Sequence, residues 1–442
     1  MKIQCLNNAT TFIDSGTDKI VLDPWVVGNL YHNSWSAFPY YENYKKYFKS
    51  ISHILISHFH ADHFDPETLK LIDRNAKVFV PNLKFNSIMG KTLNSLGFEN
   101  IKFLDLCCWH KISKNFSLYI IPPLNEMAQE FEQLVDADGY NNIAIDTGFI
   151  INDHYTETNH IFLADNSPYD LNAFKKHVGN LKYSSFWFPY NGFAGDYPIS
   201  YDNISIQEKR KISLEMSEIR EQFNINAIKA CNPEILFPYS SDFTLHGKYE
   251  NDFFKVHDEQ FYYKYKYAER IEKITKTKSL SLYGDDYIIF KKNGKIDINL
   301  VSDKKQKKTK IDKKIELVFP KVDTAQSFIK ELNFSLIRMF ERLIKYNLNS
   351  KKLNHWNVDI KTENNLYTLD LENKKVYTKD DVQFKNTNKK ILLLKTNENI
   401  VRGLMQKKIH FDNAQIGCYL SWERNPNEFE KSLYDSLCFF HM

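Results

Sequence analysis

The stretch Ile54-Leu55-Ile56-Ser57-His58-Phe59-His60-Ala61-Asp62-His63-Phe64-Asp65-Pro66-Glu67-Thr68-Leu69 decides how the chain is read. Residues 51–57 form a strand pattern whose apolar positions Ile54, Leu55 and Ile56 run without a break, as when both faces of a sheet are covered. Asp65 is placed to cap a helix, with Pro66 in its first turn and Glu67 following. The hexapeptide His58–His63 therefore lies on a strand-to-helix loop, where α/β proteins carry their chemistry. Alternation puts His58 and His60 on one side, where two imidazoles can share an ion. Asp62 and His63 sit at the turn, point elsewhere, and can serve a second ion about 3.5–4 Å away, the spacing of two-metal sites. Packing does not explain the cluster, because imidazoles and a carboxylate are costly to desolvate together without a cation.

Working outward, residues 18–27 (DKIVLDPWVV) read as a strand ending at Asp23-Pro24. Further strands are expected at 78–81, 116–123, 144–151, 160–165 and 234–240, with one long helix at 204–229. From about 260 the chain becomes basic and aromatic, and Asn293-Gly294 signals a hairpin. Residues 303–314 are a lysine run that reads as a solvated linker or exposed hairpin, with a patch for an anionic ligand or membrane surface as the alternative. Phe328, Leu332, Leu336, Met339, Leu343 and Tyr346 recur at helical spacing behind a cap at Asp323 or Thr324. Residues 366–378 read as a hairpin and 389–396 as a buried strand. The expected organisation is α/β. A catalytic domain covers 1–260, a basic connecting region with a hairpin covers 261–314, and a smaller α+β domain of unknown role covers 315–442.

Length supports more than one domain, since 442 residues exceed the ~250–300 at which single cores stop growing. Lys+Arg 59 against Asp+Glu 55 gives a net charge of +4, too balanced to indicate a nucleic-acid partner. The six cysteines are scattered without CxxC spacing, which excludes a disulfide scaffold and fits a reducing compartment. The amino-terminal residues lack a secretory h-region, and no apolar run approaches the ~18 residues of a spanning helix. A cytoplasmic protein is expected.

The HxHxDH pattern resembles the signature of the metallo-β-lactamase superfamily. That resemblance implies an αββα sandwich whose metal ligands come from loops at one sheet edge. It implies a ligand set of His58, His60, Asp62, His63, Asp165 and His246, with Asp62, His63 and His246 at the catalytic centre. Asp23 resembles the carboxylate that orients the histidine loop from behind, and Asp165 the carboxylate that bridges both ions. The superfamily usually supplies another histidine between the hexapeptide and the bridging Asp. Here that stretch, NEMAQEFEQLVDADGYNNIAIDTGFII, has none, and Asp138, Asn142 or Asp146 could supply an oxygen instead.

Residues 10 to about 250 are also similar to the catalytic domain of CMP-N-acetylneuraminate hydroxylase-like proteins. The matching pieces include KIVLDPWVVG, HNSWSAFPYY, FLADNSPYD, WFPYNGFAGDYPISY and ILFPYSSDFTLHGKY. The animal hydroxylases carry a Rieske cluster, which needs C-x-H and C-x-x-H motifs together. No such pair of motifs exists here, so no Rieske cluster is expected in this chain.

The resemblance implies two divalent ions, iron or zinc, with manganese a further choice. The leading expectation is a diiron, oxygenase-like enzyme that hydroxylates a polar small molecule such as a nucleotide sugar, with an external electron donor. The alternative is a dizinc hydrolase of a phosphodiester, lactone or amide. Trp35, Tyr190, Asn191 and Tyr239 are candidate substrate contacts, since aromatics beside the inferred loops can stack a base or sugar. The apolar helix near 328–346 offers a homodimer surface.

Overall fold

A computed structural model describes residues 1–83, 86–124, 145–191, 196–303, 314–345, 351–380 and 389–442. Two sheets face each other in the first two-thirds of the chain. The first has eight strands, ordered Ile296–Asn299, Tyr287–Phe290, Lys2–Asn7, Thr10–Asp14, Lys19–Leu22, His53–Leu55, Lys77–Pro81 and Ile101–Leu104. The second has six, ordered Leu236–Tyr239, Ser185–Pro189, Thr158–Phe162, Gly148–Asp153, Phe116–Ile121 and Trp109–Lys111.

The packing follows from alternation along these strands. Ile3, Ile13, Ile20, Leu22 and Leu55 of the first sheet meet Phe116, Leu118, Phe149, Phe162 and Trp187 of the second in one core. The opposite face of the first sheet, through Val21, Ile54 and Val78, packs on Leu69, Met89 and Leu93 from helical segments. The opposite face of the second, through Ile150, Ile161 and Phe186, packs on Phe174, Ile225, Ile228 and Ile271. Helix, sheet, sheet and helix thus form the αββα sandwich that the resemblance implied.

The long helix runs Ile206–Cys231, with the Ser205 side chain accepting from Glu208 N–H at its start and left-handed Asn232 at its end. Its 26 residues contain neither Gly nor Pro, so nothing local interrupts it. The expected boundary at 260 falls inside the sandwich. Lys264–Thr275 contributes Tyr267 and Ile271 to the second sheet's outer core. The hairpin at Asn293-Gly294 joins Tyr287–Phe290 to Ile296–Asn299, and its first strand pairs antiparallel with Lys2–Asn7. The lysine run at 304–313 lies outside the described residues.

The last part of the chain builds a five-stranded sheet ordered Lys375–Thr378, Leu366–Asp370, Trp356–Lys361, Lys390–Lys395 and Ser421–Asn425. The helix Phe328–Lys345 buries Phe328, Leu332, Leu336, Met339 and Leu343, the stripe seen in the sequence, while Tyr346 lies outside the described residues. Lys390–Lys395 buries only Leu392 and Leu394, so one face of this central strand is covered and not both. The domain is joined to the sandwich through Tyr201 and Ile204, which sit in its core. Trp422 N–H donates to Ser200 O at 2.8 Å, and Asp202 N–H donates to Trp422 O at 3.0 Å. Among the described residues, no helix is long and apolar enough to cross a membrane.

Gly148 opens the strand that follows the inferred ligand loop. A Cβ placed there would lie 2.9 Å from Phe162 O and 3.2 Å from Leu163 Cα, both backbone atoms of the neighbouring strand. Gly148→Ala is therefore expected to destabilise the sandwich by about 1–3 kcal/mol, read as a lower midpoint in chemical denaturation.

Candidate metal centre

His58, His60, Asp62, His63, Asp146 and Asp165 come from one edge of the two sheets. Asp23 follows Lys19–Leu22, the hexapeptide follows His53–Leu55, Asp165 follows Thr158–Phe162, and Asp146 precedes the antiparallel Gly148–Asp153. Strand carboxyl ends in α/β sheets leave such a crevice. Helix Pro66–Leu69 fixes the far side of the hexapeptide, as the Asp65 side chain accepts from Glu67 and Thr68 N–H. The Thr68 hydroxyl oxygen in turn accepts from Val26 and Val27 N–H, which ties the Asp23 loop to this helix.

Two donor groups result. His58, His60 and Asp165 form one, and Asp62, His63 and Asp165 the other, each with its donor atoms within 4.8 Å of one another. Asp165 belongs to both, which is the geometry of a bridging carboxylate. His58 Nε2 and His60 Nδ1 face each other at 2.9 Å. Asp146 Oδ1 stands 3.6 Å from His58 Nε2 and 3.8 Å from His60 Nδ1. In the second group, His63 Nε2 is 3.4 Å from Asp62 Oδ2 and 3.2 Å from Asp165 Oδ1. Imidazole and carboxylate donors converging in this way fit divalent ions.

The buried Asp23 carboxylate sets which ring nitrogens are offered. His63 Nδ1–H donates to Asp23 Oδ2 at 2.9 Å, leaving Nε2 for the cluster. Ser57 donates to Asp23 twice, from its N–H to Oδ1 and from its hydroxyl to Oδ2, both at 2.7 Å. With its proton committed there, the Ser57 hydroxyl oxygen can only accept from His58 Nδ1–H at 2.9 Å. His58 Nε2 then carries the unprotonated lone pair, 2.9 Å from His60 Nδ1. Thr147 donates its hydroxyl to Ser57 O at 2.6 Å, which anchors the neighbouring Asp146 to the same loop.

Charge is divided unevenly. Burial, reinforced by His63 and His60, depresses the His58 pKa well below the ordinary imidazole value. Burial acts the same way on His63, but Asp165, Asp62 and Asp23 overcome it and raise its pKa well above that value. Burial also opposes ionisation of Asp165, yet His63 beside it holds its pKa far below the usual carboxylate range. Burial raises the pKa of Asp146, with His60 pulling the other way.

Other sequence candidates fall elsewhere. Asp138 and Asn142 lie outside the described residues. His246 joins neither donor group among the described residues; its Nε2 lies 2.5 Å from Ser36 Oγ and its Nδ1 is 3.8 Å from Glu250. Trp35, Tyr190, Asn191 and Tyr239 are all buried. Trp35 stacks on Phe243 with ring centroids 3.6 Å apart, Tyr190 donates its hydroxyl to Asp242, and the Tyr239 hydroxyl oxygen accepts from Ala164 N–H beside Asp165. A groove of about 470 Å³ between the domains, lined by Lys248, Lys361, Lys395 and Tyr419, contains none of the metal donors.

Sequence reading missed three residues that hold the carboxylates. Asn8 donates its side-chain amide to Asp62 Oδ2 at 3.1 Å, Tyr31 donates to Asp62 Oδ1 at 3.3 Å, and Ser240 donates to Asp165 Oδ1 at 2.5 Å. It also passed over Cys107-Cys108-Trp109-His110, which places both Rieske spacings around a single histidine. Cys108 Sγ lies 3.2 Å from His110 Nε2 on the exposed edge of the second sheet, and these four residues offer one imidazole where a Rieske cluster takes two.

No family model matches the chain. A curated relative, a putative Rieske 2Fe-2S iron-sulfur protein of Mycolicibacterium smegmatis, is 27% identical over 200 residues. The match covers 43% of this chain and spans about a third of that protein's length, 35%. Similar solved structures include CmlA, a diiron beta-hydroxylase from Streptomyces venezuelae, with 17% identity, 64% of this chain and 53% of that chain covered, and a TM-score of 0.42. An isothiocyanate hydrolase from Delia radicum gut bacteria aligns with 13% identity over 66% of this chain and 100% of that chain, with a TM-score of 0.44.

The raised pKa of His63 has a measurable consequence. In the metal-free chain its imidazolium contributes stability that is full below the ordinary histidine pKa and fades as pH climbs through the raised one. A cation taking the Nε2 lone pair must expel that proton. Zinc titration by calorimetry near pH 7, in buffers of different ionisation enthalpy, is expected to show net proton release. Buffer-independent heats would contradict this charge state.

Proposed function

We propose that the chain is a dinuclear metal-dependent enzyme of the metallo-β-lactamase superfamily, acting as an oxygenase-like hydroxylase of a polar small molecule, with iron as the working metal. The observation that carries this reading is Asp146. Its carboxylate stands beside His58 and His60, between the hexapeptide and Asp165, where the resemblance implied a histidine. With Asp62 and Asp165 it makes the donor set as rich in carboxylate as in imidazole, a mixture that suits iron or manganese better than a histidine-dominated set does. The iron–sulfur name of the curated relative supports a redox setting. A separate electron donor would complete such a reaction.

Bound at the two donor groups, divalent ions would supply Lewis acidity and, as iron, the redox chemistry of hydroxylation. The chain's own residues do the rest. Asp23 fixes both imidazole tautomers, and Ser240 holds the shared Asp165 carboxylate. His58 and His63 side chains are fully buried, whereas His60 is 39% and Asp165 32% exposed. Substrate therefore approaches over His60 and Asp165. The nucleotide-sugar class rests on the hydroxylase-like resemblance of residues 10–250.

Elemental analysis of protein purified without oxygen is expected to give two irons per chain, reduced together in His58→Ala/His60→Ala with folding retained. Two zincs, with oxygen-independent turnover of a phosphodiester or lactone, would establish the hydrolase instead.

A further inference from the structure

The residues Tyr31, His32 and Asn33 are consecutive and all left-handed, with φ of 48°, 56° and 70°. Single L residues adopt this conformation now and then; three in a row need outside support. The turn is closed at its base by paired hydrogen bonds between Leu30 and Trp35. Its tip is held from outside the sandwich. Val318 N–H donates to His32 O at 3.1 Å, and His32 Nδ1–H donates back to Val318 O at 3.1 Å. Asn33 donates its amide to Glu316 O at 3.2 Å. The His32 ring lies against Phe319 and Tyr419, 5.5 and 5.8 Å between centroids. Just beyond the turn, Trp35 Nε1–H donates to Ile416 O at 3.1 Å. Every one of these supports belongs to the last third of the chain.

What the turn delivers is the Tyr31 hydroxyl, buried and bonded to Asp62 Oδ1. The other oxygen, Oδ2, faces His63 Nε2 and is the one placed to meet an ion. Tyr31 thus grips the oxygen of Asp62 that points away from the ion, and fixes the rotation of the carboxylate. We propose that Tyr31 is a positioning residue for the ion held by Asp62, His63 and Asp165, and that the C-terminal domain sets it by clamping the left-handed turn. This deepens the dinuclear reading above and rests on it. It also assigns the C-terminal domain a task, completion of the second ion's site.

The test uses the full metal-free chain titrated with Co²⁺, followed by its visible absorption and by competition with a chelator of known affinity. Tyr31→Phe keeps the ring and removes the grip. It is expected to weaken the second ion about 10–100-fold and leave the ion at His58 and His60 unchanged. His32→Ala, which removes the ring's contacts to Val318 O, Phe319 and Tyr419 and keeps the Tyr31 side chain, should act in the same direction by a smaller factor. Tyr249→Phe is the structural control, because its hydroxyl bonds Asp202 and Ser421 across the domain junction without touching Asp62. It should lower the thermal midpoint and leave both affinities alone. The proposal is overturned if Tyr31→Phe binds both ions as the wild type does, or if all three variants lose affinity in proportion to lost stability. A wild-type chain that takes up no Co²⁺, or a His58→Ala/His60→Ala chain that still takes up two, overturns the dinuclear reading itself.

Discussion

The Asp23 carboxylate is the interaction on which the site depends. It is buried, with φ of 44°, a conformation that turns the chain sharply at the end of Lys19–Leu22. A buried carboxylate must be bonded, and each bond it accepts here fixes a neighbour. Ser57 is held at its amide and hydroxyl, and His63 at Nδ1. Through the Ser57 hydroxyl the constraint passes to His58. One acidic side chain therefore determines which nitrogen of two imidazoles is free for an ion. Outer partners of this kind set both ring orientation and ligand basicity.

The sandwich makes that geometry rigid. Asp23, the hexapeptide, Asp165 and Ser240 each lie one to eight residues beyond a strand of the two sheets. Asn8 adds a stitch across the sheets. It bonds Asp62 with its amide group, accepts from Asp242 N–H with its side-chain oxygen, and accepts from Ser240 N–H with its backbone carbonyl. The first hairpin, the hexapeptide and the loop after Leu236–Tyr239 are thereby fixed to one another. Behind them Lys264 and Asp242, both side chains 1% exposed, form an ion pair at 2.6 Å. Removing one partner of such a pair strands a charge, so this corner tolerates little movement.

The sequence was most legible where one residue type at one spacing meets one physical need. Three histidines and an aspartate after an apolar strand could be placed as two ion sites, because a strand end and a capped helix fix their directions. The helical stripe from Phe328 to Leu343 was legible for the same reason, through its period. The holders were not legible. Asn8, Tyr31 and Ser240 are 31 residues or more from Asp62 and Asp165, the groups they bond, and only the folded registers bring them there. The connecting region at 261–314 was hard to place for a similar reason. The hairpin at 287–299 carries no local mark of which sheet it joins, and its partner is the chain's first strand. Trp35, Tyr190 and Tyr239 resembled a stacking pocket in composition, but their hydroxyls and indole N–H find protein partners, as buried aromatics require.

Asp146 shows how a departure from a pattern can carry more information than agreement. An imidazole in its place would bring one neutral donor; a carboxylate brings charge into a site that already holds Asp62 and Asp165. In the metal-free chain that charge is costly, and burial accordingly raises the Asp146 pKa. A bound cation removes that cost. A site built this way gains more from a hard, oxygen-preferring ion than a histidine-rich one does, and it loses more when the ion leaves. The same reasoning explains why the structure invests in so many fixed partners around it. Asp146, Asp62 and Asp165 repel one another in the metal-free chain, while Asn8, Tyr31 and Ser240 hold Asp62 and Asp165 in place and Asp23 holds His63.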